Sequence, residues 1–146
     1  MQRRLALTLG AAILTGALGA CSAMAPGPTA QSEMRKVVFQ VSEADPKNWN
    51  LALNNLRNVQ QAIGKDKVLT ELVVYGPGIA TLKAESKVEP RITQALTDGV
   101  RVVACENTMH AQKLTKADMI PGIGYVPGGV VELMERQREG WAYIRP

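Results

Sequence analysis

The chain has 146 residues, 46% of them hydrophobic and 21% charged. That composition excludes an intrinsically disordered chain and leaves room for one domain, alone or with a tail. The net charge is +4, but Arg3 and Arg4 precede every acid and the rest has a surplus of only two. Such a surplus is too small to argue for nucleic acid.

Residues 2–25 have the three parts of an export signal. Arg3 and Arg4 form a short positive segment, and Leu5 to Leu18 is an uncharged run. That run has the length of a signal core and is too short for a permanent membrane span. It ends at Leu18-Gly19-Ala20-Cys21, which resembles the bacterial lipobox, where a Cys is lipidated and becomes the new N-terminus. On this reading residues 1–21 are a signal peptide and Cys21 anchors a periplasmic lipoprotein to the membrane. The alternative is cleavage after Ala23-Met24-Ala25, an A-x-A site, which would discard Cys21 and release a soluble periplasmic protein. Residues 22–34 are rich in Pro, Gly, Ser, Thr and Ala without apolar periodicity, and they read as a flexible tether. The folded domain is expected over residues 35–146.

Within the domain, Lys36–Ser42 is a β-branched and aromatic run that reads as a strand. Asp45-Pro46 is a helix start, and Trp49, Ala52, Leu53, Leu56, Val59 and Ile63 recur at helical spacing up to a Gly64 stop. Val68–Tyr75 is a second strand ending in Gly76-Pro77-Gly78. A short helix over Ile79–Lys83 and a longer one over Glu89–Thr97 follow. Val100–Ala104 is a third strand that ends at Cys105, and Glu106–Leu114 reads as a helix. Ile123–Val126 is a weak fourth strand. A helix over Val130–Glu139, with Val130, Leu133, Met134 and Gln137 on one face, leads to a fifth strand at Trp141–Arg145.

Strands alternating with helices imply right-handed crossovers and a parallel sheet. The expected fold class is therefore α/β: a small doubly wound, mostly parallel five-stranded sheet of flavodoxin-like type, with helices on both faces. In such sheets chemistry collects at the carboxyl ends of the strands. Ser42–Asn50, Tyr75–Ile79 and Cys105–Met109 fall on that edge.

Cys105 is the main candidate for chemistry. Once Cys21 is lipidated or removed it is the only thiol, so an intramolecular disulfide is ruled out, and without a C-x-x-C pair a dithiol cycle is not expected. Its place at a strand-to-helix junction favours a thiolate; the alternative is a buried structural Cys. Asn107 and Thr108 would form the first turn of the following helix, as caps or as donors to a substrate anion. Gly76, Pro77 and Gly78 form a turn that would offer backbone N–H groups to an anion or simply reverse the chain. His110, the only histidine, sits awkwardly for a Cys–His pair and reads as a surface residue. No metal site and no cofactor are expected, since one His, one candidate Cys and no clustered carboxylates do not make a zinc site. Trp141 and Tyr143 alternate with Ala142 and Ile144 and so share one strand face.

Several segments together resemble the DsrE/DsrF-like family of small sulfur-relay proteins. They are Lys36 to Val41, the Trp49 to Asn58 helix, Tyr75-Gly76-Pro77-Gly78, Gly99-Val100 through Met109, and the runs Val130 to Leu133 and Gly140 to Pro146. The resemblance covers nearly all of the domain. It implies a parallel five-stranded DsrE-like fold and homo-oligomers, often trimers or hexamers. It also implies a strand-end Cys that accepts sulfur as a persulfide from a donor protein and passes it to an acceptor, a role that maps onto Cys105. Three readings follow: a cell-envelope sulfur carrier or sulfurtransferase-like protein using Cys105, a non-enzymatic lipoprotein binding module, and a thiol redox sensor.

Overall fold

Runs of β-branched residues become the strands. In the computed structural model, which describes residues 34–146, β1 (Arg35–Val41), β2 (Val68–Val74) and β3 (Arg101–Cys105) form the body of one sheet. Two three-residue strands, β4 (Gly124–Val126) and β5 (Ala142–Ile144), close its edges. Every pairing is parallel and the order is β4-β3-β2-β1-β5. Cys21, the export signal and the tether apart from Met34 lie outside the described residues. Among the described residues no helix is long and apolar enough to cross a membrane.

The helices begin and end where local chemistry directs. The first, α1 (Pro46–Ile63), has Pro46 in its opening turn, and the Asp45 carboxylate accepts the Lys47 N–H at 2.9 Å. A 3₁₀ segment spans Gly76–Leu82, where an ordinary short helix over Ile79–Lys83 was expected. α2 (Glu89–Thr97) ends at Gly99, whose φ of 82° no β-carbon opposes. α3 (Glu106–Ala111) is shorter than the sequence suggests. Lys113, at φ 56°, takes the left-handed position, and Leu114 N–H closes back on Met109 C=O at 2.9 Å. That is a Schellman ending without glycine. α4 (Gly129–Arg138) is followed by Gly140.

Strand alternation divides the core in two. Phe39, Leu72 and Ala104 face one way and meet Leu53 and Leu56 of α1, Ile92 of α2 and Met109 of α3. Val38, Val73 and Val103 face the other way and meet Leu133 of α4. The sheet therefore has helices on both faces, three on one and one on the other. From β1 to β4 the chain advances in one direction, and β5 returns to the far side of β1. Flavodoxin itself has the order 2-1-3-4-5, so the strand order here is distinct within the expected class.

The face under α4 is partly charged. Glu71, fully buried in β2, pairs with Arg101 Nη1 at 2.6 Å and with Arg136 Nε at 2.6 Å. Glu132 accepts from both arginines, at 2.5 and 2.8 Å. Arg136 also reaches Glu139 at 2.7 Å and lies over the Trp141 ring. Burial pushes the Glu71 carboxyl upward, opposed by the two guanidinium groups. This network corrects the expected inner face of α4. Glu132 and Arg136 turn inward beside Leu133, so Val130 and Met134 point outward, 54% and 56% exposed.

Candidate functional site

The reversal in winding places the site. From the carboxyl end of β3 the chain passes to α3 on one face, and from the neighbouring β4 it passes to α4 on the other. Adjacent strands that send their chains to opposite faces open a crevice at their carboxyl ends. Cys105 is the last residue of β3 and the cap position of α3, so it stands in that crevice. Its side chain lies on the α4 side, and Sγ is 4.0 Å from the Pro127 carbonyl oxygen.

Polar groups at the starts of α3 and α4 set the charge preference of the sulfur. Burial pushes the Cys105 thiol up, yet the Thr108 hydroxyl and the N–H groups of Gly129, Thr108 and Asn107 outweigh it and hold the thiol below its ordinary value. Three of these four groups belong to the first turn of α3 and one to the start of α4. The site thus needs both helices in register. Gly129 permits this: a β-carbon there would lie 2.9 Å from Tyr75 Cβ, so only glycine lets α4 approach the β2 end this closely. Asn107 N–H also donates to Pro127 C=O at 3.2 Å, which ties the start of α3 to the end of β4. Cys105 is the free cysteine among the described residues and is 5% exposed, with the Pro127 carbonyl beside its sulfur.

The Gly76-Pro77-Gly78 turn lies beside the site but spends its donors internally. Gly76 N–H donates to Thr108 Oγ1 at 2.9 Å, and Gly78 N–H donates to the Ser42 carbonyl at 3.0 Å. Pro77 has no N–H. The turn therefore acts on Cys105 through Thr108, whose oxygen accepts from Gly76 and whose hydroxyl favours the thiolate. A β-carbon on Gly78 would lie 2.7 Å from the Val41 carbonyl oxygen, so this glycine is set by close packing. Thr108 and Asn107 are both brought to Cys105, whereas His110 is exposed and faces away from it, among residues that include Leu114 and Lys116. Among the described residues no group of His, Cys, Asp and Glu is arranged to hold a metal ion. Sequence reasoning missed Gly129 and Pro127, because a Gly-Gly before a helix reads as an ordinary start signal. Trp49, which the sequence left open between cleft and core, is 7% exposed in the core and donates its ring N–H to the Glu43 carbonyl at 2.7 Å.

A family model, the DsrE/DsrF-like family, matches residues 35–146. The chain belongs to the DsrE/DsrF-like family. Among solved structures this DsrE-like chain is similar to a protein of unknown function, MTH1491, from Methanobacterium thermoautotrophicum. The two share 35% identity at a TM-score of 0.74, over 77% of this chain and 99% of that one. It shares the fold of a conserved protein of unknown function, BT1422, from Bacteroides thetaiotaomicron, at 15% identity and a TM-score of 0.60, covering 76% and 94%. The ychN protein of E. coli has the same fold at 11% identity and a TM-score of 0.61, covering 78% and 99%. No curated protein is significantly similar to the chain. Membership of this DsrE-like family associates the chain with sulfur relay.

Proposed function

We propose that this DsrE-like protein is a sulfur carrier of the cell envelope, with Cys105 as the sulfur acceptor. The observation that carries the reading is the place of Cys105 at the β3–α3 junction, where Thr108, Asn107 and Gly129 hold its thiol below the ordinary value. The Cys105 thiolate attacks the outer sulfur of a donor persulfide. A new S–S bond forms on Cys105, the donor S–S bond breaks, and the donor leaves as a thiolate that takes up the persulfide proton. The same groups then serve the terminal anion of the Cys105 persulfide.

Mass spectrometry after exposure of the full chain to a low-molecular-weight persulfide tests this directly. A single added sulfur on Cys105, absent from Cys105→Ser, is expected. A sulfenic acid formed with peroxide but no persulfide under any donor would favour a redox sensor and end the carrier reading.

Export, lipidation of Cys21 and self-association belong to the same proposal. The support for export is the charged start, the apolar run and the Cys21 motif; for self-association it is the exposed apolar stripe on α4 and the oligomers implied by the family resemblance. Cys21→Ser should lose lipid labelling and membrane association. Recovery of the unaltered protein in the soluble periplasmic fraction, beginning at Pro26, would show that the A-x-A site is used instead.

A further inference from the structure

The face of the sheet away from Cys105 has a groove between α1 and α2 of about 210 Å³. That is smaller than the roughly 300–1,000 Å³ of drug-sized sites. Its walls include Leu53, Leu56, Ala95 and Val100, and the guanidinium groups of Arg57 and Arg91 stand at its border. Such a lining is apolar in body and cationic at the border.

Among the described residues neither arginine has a counterion. Arg91 is held in place by neutral oxygens: Nη1 donates to Asn50 O at 3.4 Å and to Asn50 Oδ1, and Nη2 donates to Asn54 Oδ1 at 2.8 Å. Those three bonds leave two of its five N–H groups for another acceptor. Arg57 is exposed, and no carboxylate lies within ion-pair distance of either arginine among the described residues. Asp98, the one acid lining the groove, is occupied by Lys65 at 2.6 Å and by Gln94 Nε2 at 3.0 Å. Partial burial and the charge of Arg57 both push the Arg91 guanidinium down from its usual value. An anion between the two would relieve that repulsion.

We infer that this groove binds a small aliphatic carboxylate, its methylene body against Leu53, Leu56, Ala95 and Val100 and its carboxylate between Arg57 and Arg91. A planar guanidinium pairs a carboxylate through parallel N–H bonds, and the apolar floor excludes an ion that is charged throughout. The Asn residues of α1 acquire a role here, since Asn50 and Asn54 orient Arg91 toward the groove. The site lies on the other face from Cys105 and stands or falls independently of sulfur transfer.

The test is a heteronuclear NMR titration of the full chain with hexanoate, 1-hexanol and inorganic phosphate. Hexanoate should move the amide signals of Leu53, Leu56, Ala95 and Val100 at millimolar concentration, and 1-hexanol and phosphate should bind about tenfold more weakly or worse, as loss of one charge-assisted contact implies. Arg57→Gln, which removes an exposed side chain, should weaken hexanoate by about tenfold without moving distant signals. Arg91→Gln should do the same, and Arg57→Lys should restore part of the affinity. Equal binding of 1-hexanol, tighter binding of phosphate, shifts located elsewhere, or an unchanged affinity in Arg57→Gln would each overturn the proposal.

Discussion

Thr108 links two parts of the molecule that the sequence holds 32 residues apart. Its oxygen accepts the Gly76 N–H and its hydroxyl favours the Cys105 thiolate, so one side chain couples the β2 turn to the thiol. Thr108→Val removes the hydroxyl that favours the thiolate and leaves the Gly76 N–H without its acceptor. The apparent pKa of Cys105 should rise, and alkylation at neutral pH should slow by about tenfold, the value of one hydrogen bond to a charged group. Thr108→Ser should restore the rate, which a purely steric role for the Thr methyl would not predict. The candidate residues Cys105, Asn107 and Thr108 were legible because a strand, a lone Cys and a helix start follow one another without a gap. Gly129 was not, since its role depends on a contact with Tyr75 across the crevice rather than on neighbours in the chain.

At the scale of elements, α4 is held by charge as much as by apolar packing. Glu71 is registered opposite Arg101 on β3 and meets Arg136 from above. Glu71→Gln leaves both arginines short of a partner, although Arg136 retains Glu132 and Glu139. The loss of stability should sit near the lower end of the about 3–5 kcal/mol seen when one member of a buried ion network is removed. Urea denaturation measures it, and a change within about 0.5 kcal/mol, typical of a surface substitution, would show that the network contributes little. The same network explains why sequence periodicity misread α4. An inner face of Gly129, Glu132, Leu133 and Arg136 is half polar, so an apolar count selects the outer residues Val130 and Met134 instead. Most other elements were legible because caps and breakers mark them, as Asp45-Pro46, Gly64, Gly99 and Gly140 do. The early end of α3 was not, because Lys113 takes the position that glycine usually signals.

For the whole molecule, the outward stripe of Val130, Val131 and Met134, each more than half exposed, is an apolar surface beside the Cys105 crevice. Stripes of this kind mark contact surfaces, and a second copy of the chain is the partner proposed here. Residues 34–146 should run as a trimer or hexamer in light scattering at micromolar concentration. The Val131→Lys/Met134→Lys pair should dissociate it while the fold, read by circular dichroism, persists. An unaltered protein that is a clean monomer would remove self-association from the account.

The path of the chain through the sheet also governs chemistry, because the reversal between β3 and β4 is what brings the starts of two helices near one sulfur. The most direct measurement is the rate of Cys105 alkylation against pH in the folded chain. A thiol with a lowered pKa reaches its full thiolate rate at lower pH than a free thiol does. The account predicts a single titration with an apparent pKa below that of a free cysteine, and reaction without unfolding. A thiol that titrates at or above the free value, or reacts only once denaturant has opened the domain, would contradict it and mark Cys105 as a packing residue.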